Sequence, residues 1–343
     1  MKRLPPLHTL CLGFLSLLTG CQTLPTQPAA PRIDWQESTP QTILDTRNDR
    51  QLTAPQLLHN LLQADIIYLG EEHDNPQHHH LQLAIVEKLL QTGKRPIIGF
   101  EFFSREQTSW LLQYSVGNPS RMPTNHPTTP EERLRQQLGW EKRSDWSFYF
   151  PLVQLARQHR LMVFGADLPD GLRMRLTRDG LEALTPLERT AWIPSDFVHQ
   201  DYAQLMREKF AQSHCGMVSE PFLERLYGTW LARNDAMAQA IVAMQATEQG
   251  PVILIVGAAH LTHNMGIPER VKALRPHLRQ LNLGMHSGNW QELDQHRPLP
   301  PLTVGNTQFP PAHEILWLTL PSPTHSDPCA PWAKPQPAPA APR

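Results

Sequence analysis

The chain has 343 residues, a formal net charge of -1, 40% hydrophobic residues and 18% charged ones. That length suffices for one large domain or two smaller ones with a sizeable core, while the near-neutral balance, without a basic stripe, argues against nucleic-acid binding. Four cysteines with no zinc-type pair leave structural zinc without its usual ligands, whereas 17 histidines, several in one segment, direct attention to metal or haem chemistry.

At the N-terminus, Lys2 and Arg3 precede an apolar run from Leu10 to Leu18, which is the layout of an export signal. The run is shorter than the ~20 apolar residues a permanent membrane helix needs. It ends in Leu17-Leu18-Thr19-Gly20-Cys21, which resembles the lipobox cleaved by lipoprotein signal peptidase. Residues 1–20 are therefore expected to be removed, leaving Cys21 as a lipidated first residue. Gln22, not Asp, follows the cysteine, a pattern that in Gram-negative lipoproteins implies the outer membrane, facing the periplasm. Residues 21–32, rich in Pro, Ala, Thr and Gln, read as a flexible tether.

Folding is expected over residues 33–320. Short apolar runs at Ile66–Leu69, Pro96–Phe100, Leu161–Phe164 and Val252–Val256 have the continuous, often β-branched character of buried parallel strands. Helical patterns follow the first at Gln77–Leu90, the second at Ser104–Tyr114 and the fourth at Pro268–Leu278. This alternation predicts an α/β fold, a mostly parallel sheet flanked by helices. Residues 185–246 carry periodic apolar positions without strands and read as a helical subdomain or cap. Ile315–Leu320 suggests a last strand, at an edge or pairing antiparallel. The Pro/Ala-rich stretch 321–343 reads as a disordered tail. Once Cys21 is lipidated, Cys215 and Cys329 permit one disulfide in an oxidising compartment.

In open parallel sheets ligands gather beyond the carboxyl ends of the strands. Here those ends lead into His73, Glu101, Asp167 and His260, and imidazole with carboxylate suits a divalent transition metal. Strand ends and helix N-caps also favour acidic residues without any site. Of His78, His79 and His80 on the following helix, one can turn back to the sheet edge, and helical spacing sends the others to a solvated face. In Trp146-Ser147-Phe148-Tyr149-Phe150, helical spacing puts Trp146, Tyr149, Phe150 and Val153 on one face. Exposed, that face makes an apolar platform with one phenol, and tyrosinate can ligate ferric haem; buried, it is a core tyrosine with a paired hydroxyl.

Taken in order, these segments resemble the ChaN-type haem-binding lipoproteins, in the superfamily with Tiki and TraB proteins and erythromycin-esterase-like enzymes. The resemblance is carried by Gly70-Glu71-Glu72-His73-Asp74-Asn75 with His78, His79 and Gln82, by Phe100-Glu101-Phe102-Phe103 with Gln107, and by Gly165-Ala166-Asp167-Leu168-Pro169. Trp230 to Ala238 and Gly257-Ala258-Ala259-His260, leading to Gly266-Ile267-Pro268 and Arg270, complete it. The chain departs from the family pattern in lacking an asparagine in the Gly165 motif and a second glycine beside Gly257. The resemblance implies a periplasm-facing lipoprotein of haem and iron uptake, in which two subunits sandwich haem with tyrosine ligation. Tyr149 is the matching position, and a histidine near the haem is implied as well.

Two functions follow. In the first, Tyr149 ligates haem iron, Trp146, Phe148 and Phe150 give apolar contact, and Arg173 or Arg175 meets the propionates. In the alternative, a metal-dependent hydrolase or protease uses His73, Glu101 and His260, with His79 and Asp167 at the same edge, to hold a divalent ion or activate water. A scaffold of an envelope complex, binding neither, is a third possibility.

Overall fold

The computed structural model describes residues 43–124, 129–193, 199–247, 250–288, 302–319 and Cys329, all within one compact unit spanning Arg32–Arg343. Cys21, the signal, the tether and, apart from Cys329, the tail fall outside the described residues.

The domain opens with β1 (Ile43–Asp45), β2 (Arg50–Gln51) and α1 (Ala54–Gln63). Next, β3 (Ile66–Glu71) leads into α2 (Pro76–Gln91), and β4 (Ile97–Ser104) into α3 (Thr108–Ser115), α4 (Pro130–Leu138) and α5 (Trp146–His159). After β5 (Val163–Asp167) come α6 (Asp170–Asp179), α7 (Pro186–Trp192), α8 (Gln200–Ser213) and the long α9 (Glu220–Gln245). The chain closes with β6 (Val252–Gly257), α10 (Ile267–Leu274), β7 (Gln280–Ser287), the hairpin β8 (Leu302–Val304) and β9 (Thr307–Phe309), and β10 (Ile315–Thr319).

Eight strands form one sheet in the order β2-β1-β10-β7-β3-β6-β4-β5, parallel from β10 to β5 and antiparallel at β1 and β2. Because strand side chains alternate between faces, each strand feeds two cores. Ile67 and Leu69, with Ile98, Phe100, Ile253 and Ile255, pack against α1, α2, α3 and α5. Ile66 and Tyr68, with Val252, Leu254 and Val256, pack against α9 and α10. Local chemistry starts the helices. Asn75 caps α2, its side-chain oxygen accepting the Gln77 N–H at 3.0 Å ahead of Pro76, and Thr129 with Glu132 forms a capping box on α4.

The structure corrects several sequence boundaries. The second strand does not stop near Phe100: β4 runs to Ser104 with a register shift against β5, so α3 begins later, after Ser104 and Gln107 close a short capping turn. The last strand is neither an edge nor purely antiparallel. β10 lies inside the sheet, parallel to β7 and antiparallel to β1, and all five of its residues are buried. α7, α8 and α9 are helices with no strand between them among the described residues, and the second half of α9 forms a layer of the main core. Cys215, just past α8, and Cys329 form a disulfide across a sequence separation of 114. Among the described residues no helix is long and apolar enough to cross a membrane.

Candidate functional site

Parallel pairing brings the carboxyl ends of β3, β4, β5 and β6 to one edge, and with them Glu71, Glu101, Asp167 and Gly257. Glu71, 3% exposed, is the hub of the first half. Its Oε1 accepts from the Tyr149 hydroxyl at 2.8 Å and from His73 Nδ1 at 3.1 Å, and its Oε2 from Gln82 Nε2 at 2.5 Å. His79 reaches back from α2, with Nδ1 3.4 Å from Glu71 Oε2 and Nε2 3.0 Å from the His73 carbonyl. His73 itself is half open, its side chain 54% exposed and its ring edge-on to Phe102. Burial opposes charge on His73, but the bond to Glu71 and the charge of Glu101 outweigh it and raise its pKa above the ordinary imidazole value. Gly257 lies beneath it, where a Cβ would come within 2.7 Å of His73 Cε1 and shift the ring.

The second half is built on Glu101 and Asp167. Arg233, on the buried side of α9, donates to Glu101 Oε1 at 2.7 Å and through Nε to both Asp167 oxygens at 2.9 and 3.1 Å. Glu101 Oε2 accepts the Gly257 N–H at 2.5 Å, and His260 Nε2 lies 3.4 Å from Oε1. Burial pushes the Glu101 pKa up, but His260 and Arg233 override it and hold the carboxyl well below its usual range. His260 is turned by Asn234, whose Oδ1 lies 2.6 Å from its Nδ1, and burial lowers the His260 pKa.

The face shared by Trp146, Tyr149 and Val153 exists, but it points inward: all three are at most 4% exposed. Tyr149 stacks under Phe102, with ring centroids 4.2 Å apart, and Trp146 Nε1 donates to Glu131 at 2.8 Å. Burial and the Glu71 charge hold the Tyr149 phenol pKa well above its ordinary value. Phe148 is half-buried and stacks on His79, and Phe150 is half-buried against Trp146. The solvated histidine face is also corrected. His78 and His79 are both buried, His78 accepting the Glu72 N–H and pairing with Thr319, and only His80 of the three is exposed.

The donor set expected to hold a divalent ion is committed elsewhere. Arg233 and a backbone N–H occupy Glu101, Arg233 also occupies Asp167, and Tyr149, His73 and Gln82 occupy Glu71. Among the described residues no three His, Cys, Asp or Glu side chains come together as metal ligands. Sequence reasoning assigned no role to Arg233, Asn234 or Gln82, although all three lie within the family-like segments. A cation in a helix of small apolar residues, as Arg233 is, was the available signal.

Residues 57–271 match the profile of the family described as haem-binding uptake, Tiki superfamily, ChaN. The chain belongs to this family. Among solved structures, it is similar to ChaN of Campylobacter jejuni, described with cofacial haem binding: TM-score 0.59, 17% identity, covering 80% of this chain and 94% of that one. At that identity the likeness is one of fold. A mutant of the erythromycin esterase EreC in its open conformation matches at 14% identity over 67% of this chain and 71% of its own, with a TM-score of 0.39. A Bacillus cereus protein matches at 13% identity over 67% and 68%, with a TM-score of 0.38. No curated protein matches. For this ChaN-family chain, the carboxyl edge around Glu71, His73 and Arg233 is the candidate site.

Proposed function

We propose that the chain is a haem-binding lipoprotein of haem and iron uptake, anchored through Cys21 to the outer membrane and facing the periplasm. The family match over 57–271, with an aromatic and histidine mouth at the carboxyl edge, carries this reading. The Cys215–Cys329 disulfide agrees with an oxidising, exported location.

The residues at the mouth fit haem in kind. Phe102 and Phe148 are half-buried rings, His73 is a half-open imidazole whose Nδ1 is anchored on Glu71, and Arg173 is a partly exposed cation that would exchange its pairing with Asp170 for a propionate. The bound iron would supply the redox-active, Lewis-acidic centre of the cofactor. Tyr149 is the proposed ligand. Its phenol proton already points at Glu71 Oε1, so Glu71 is placed to accept that proton and His73, on the same oxygen, to balance the charge. The phenol is 1% exposed beneath Phe102, so ligation requires Phe102 to move aside. Two such subunits facing each other would enclose the cofactor as a homodimer.

Haemin titration tests the reading. A Soret band and a doubling of mass in sedimentation are expected, with the band shifted or lost in Tyr149→Phe; a wild-type chain giving no Soret band overturns it. Cys21→Ser should release the protein from the membrane fraction and abolish palmitate incorporation. One observation favours a second reading: the half-open His73 on a buried carboxylate can take a proton from water. Ester or peptide turnover that disappears in His73→Ala would support hydrolysis, now without the divalent ion.

A further inference from the structure

The carboxyl edge holds the candidate site; the opposite, amino edge of the sheet carries positive charge that this site does not use. Two adjoining grooves of about 330 and 520 Å³ run along it. Arg47, Arg50 and Arg279 line the first, Lys94, Arg95 and Arg279 line the second, and shared walls at Ala64 and Arg279 make them continuous. Three of these cations are neutralised, Arg47 by Glu314, Arg50 by Asp45 and Arg279 by Asp65. Arg95 instead donates to the backbone oxygens of His159 and Arg160, and neither it nor the exposed Lys94 has a carboxylate partner among the described residues. The end of α10 returns to the same edge. There the exposed Lys272 and Arg275 bond only backbone oxygens and flank Leu274, an apolar side chain 42% exposed.

Helix ends attract cations, because their free carbonyls and the negative end of the dipole favour them, and this accounts for Arg95 at the end of α5. What it leaves over is Leu274 among cations that hold no carboxylate among the described residues, unlike the more exposed Met174, whose neighbours Arg173 and Arg175 are paired with Asp170 and Glu188; an apolar tip among such cations suits a lipid headgroup layer. We propose that the amino edge docks on an anionic phospholipid surface, the grooves and α10 cations meeting phosphates and Leu274 entering the headgroups. The proposal rests on the Cys21 anchor proposed above, and it deepens it by stating which way the anchored domain faces. Charge selects the amino edge, and the carboxyl edge with Glu71 and His73 is then turned away from the bilayer, open to incoming ligand.

Vesicle sedimentation of the mature chain carrying Cys21→Ala, which cannot be acylated, tests the surface apart from the anchor. Binding to vesicles of phosphatidylcholine with phosphatidylglycerol is expected, with little binding to phosphatidylcholine alone and a steep fall with added salt. Lys94→Glu with Arg95→Glu should weaken binding at least about tenfold, since each cation near such a surface contributes about fivefold. Lys272→Glu and Leu274→Gln, at exposed positions, should each weaken it independently, so a fold defect in one variant does not decide the outcome. Haemin titration should be unchanged in all of them. Equal partition onto both vesicle types, or full binding by folded charge-reversed variants, overturns the proposal; so does binding of inorganic phosphate at the grooves without vesicle association. Failure of Cys21 to take up palmitate would instead strike the anchor, whatever the vesicles show.

Discussion

Arg233 serves two buried carboxylates at once. Glu101 and Asp167 are each 4% exposed and both accept from it. Burial works against its charge, yet Asp167 and Glu101 outweigh that and raise its pKa. Removing one partner of a buried ion pair leaves an uncompensated charge and costs about 3–5 kcal/mol. Arg233→Met should therefore lower stability by about that amount, measurable as a fall in urea midpoint, and Arg233→Lys should restore only part of it, because lysine cannot serve both carboxylates through a planar fork. A midpoint unchanged in Arg233→Met would show that the carboxylates are satisfied without it. Glu72 gives a pH signature of opposite origin to the site. Burial raises its pKa, but His286 and Ser287 outweigh this and pull it down to about 2. A depressed carboxylate contributes stability that is complete above its unfolded pKa and is lost as pH falls toward the folded one. The wild type should thus exceed Glu72→Gln by about 2 kcal/mol above pH ~5, with the gap closing between pH ~4.5 and ~2; thermal melts across that range check it, and a constant gap would contradict the assignment.

At the scale of elements, β3, β4, β5 and β6 are readable because each begins with a buried apolar run before the polar residue at or near its end, although β5 starts at Val163, two residues later than the run at Leu161–Phe164, and continues to Asp167. β7 lies between β10 and β3 in the same sheet and was not readable, because Asn282, Gly284 and His286 break its run. The structure explains each interruption through a distant partner, which for His286 is Glu72, 2.8 Å from its Nδ1. Asn282, 1% exposed, donates to the Leu261 carbonyl and to Asn264 Oδ1, both at 2.8 Å, and accepts from His313 Nδ1 at 2.9 Å. Gly284 leaves the space that the His313 ring fills. No local pattern encodes a partner about thirty residues away, so these positions look like loop. The same limit hid the inward turn of α5. Helical spacing correctly put Trp146, Tyr149 and Val153 on one face, but only the fold shows that Phe102 and Glu71 cover it. Asn282→Ala should cost about 2–3 kcal/mol by orphaning the Leu261 carbonyl and the His313 donor, whereas a strand held by apolar contacts alone would lose under about 1 kcal/mol; denaturant unfolding distinguishes the two.

At the scale of the whole molecule, one covalent link joins parts that the sheet does not. Cys215 follows α8 and Cys329 lies beyond β10, at a sequence separation of 114. A cross-link of that span removes loop freedom from the unfolded chain, which in the chain-entropy account stabilises the fold by nearly 5 kcal/mol, and by about 2–4 kcal/mol in typical measurements. Thiols of this kind stay reduced in a cytosol and oxidise after export. If the proposed export through Cys21 holds, the chain should therefore be less stable before that step than after it. Reduction with dithiothreitol should lower the urea midpoint, and Cys215→Ser with Cys329→Ser should reproduce the reduced value and no longer respond to reductant. Because the cross-link constrains the unfolded ensemble, reduction should also raise the denaturant dependence, as more surface becomes exposed on unfolding. Haemin binding at the carboxyl edge should survive reduction, since Glu71, His73, Tyr149 and Arg233 are held there by one another and by Gln82, Glu101 and Asp167. A midpoint insensitive to reductant would mean that the link joins segments whose freedom does not matter to folding, and would remove the stability argument for an exported protein.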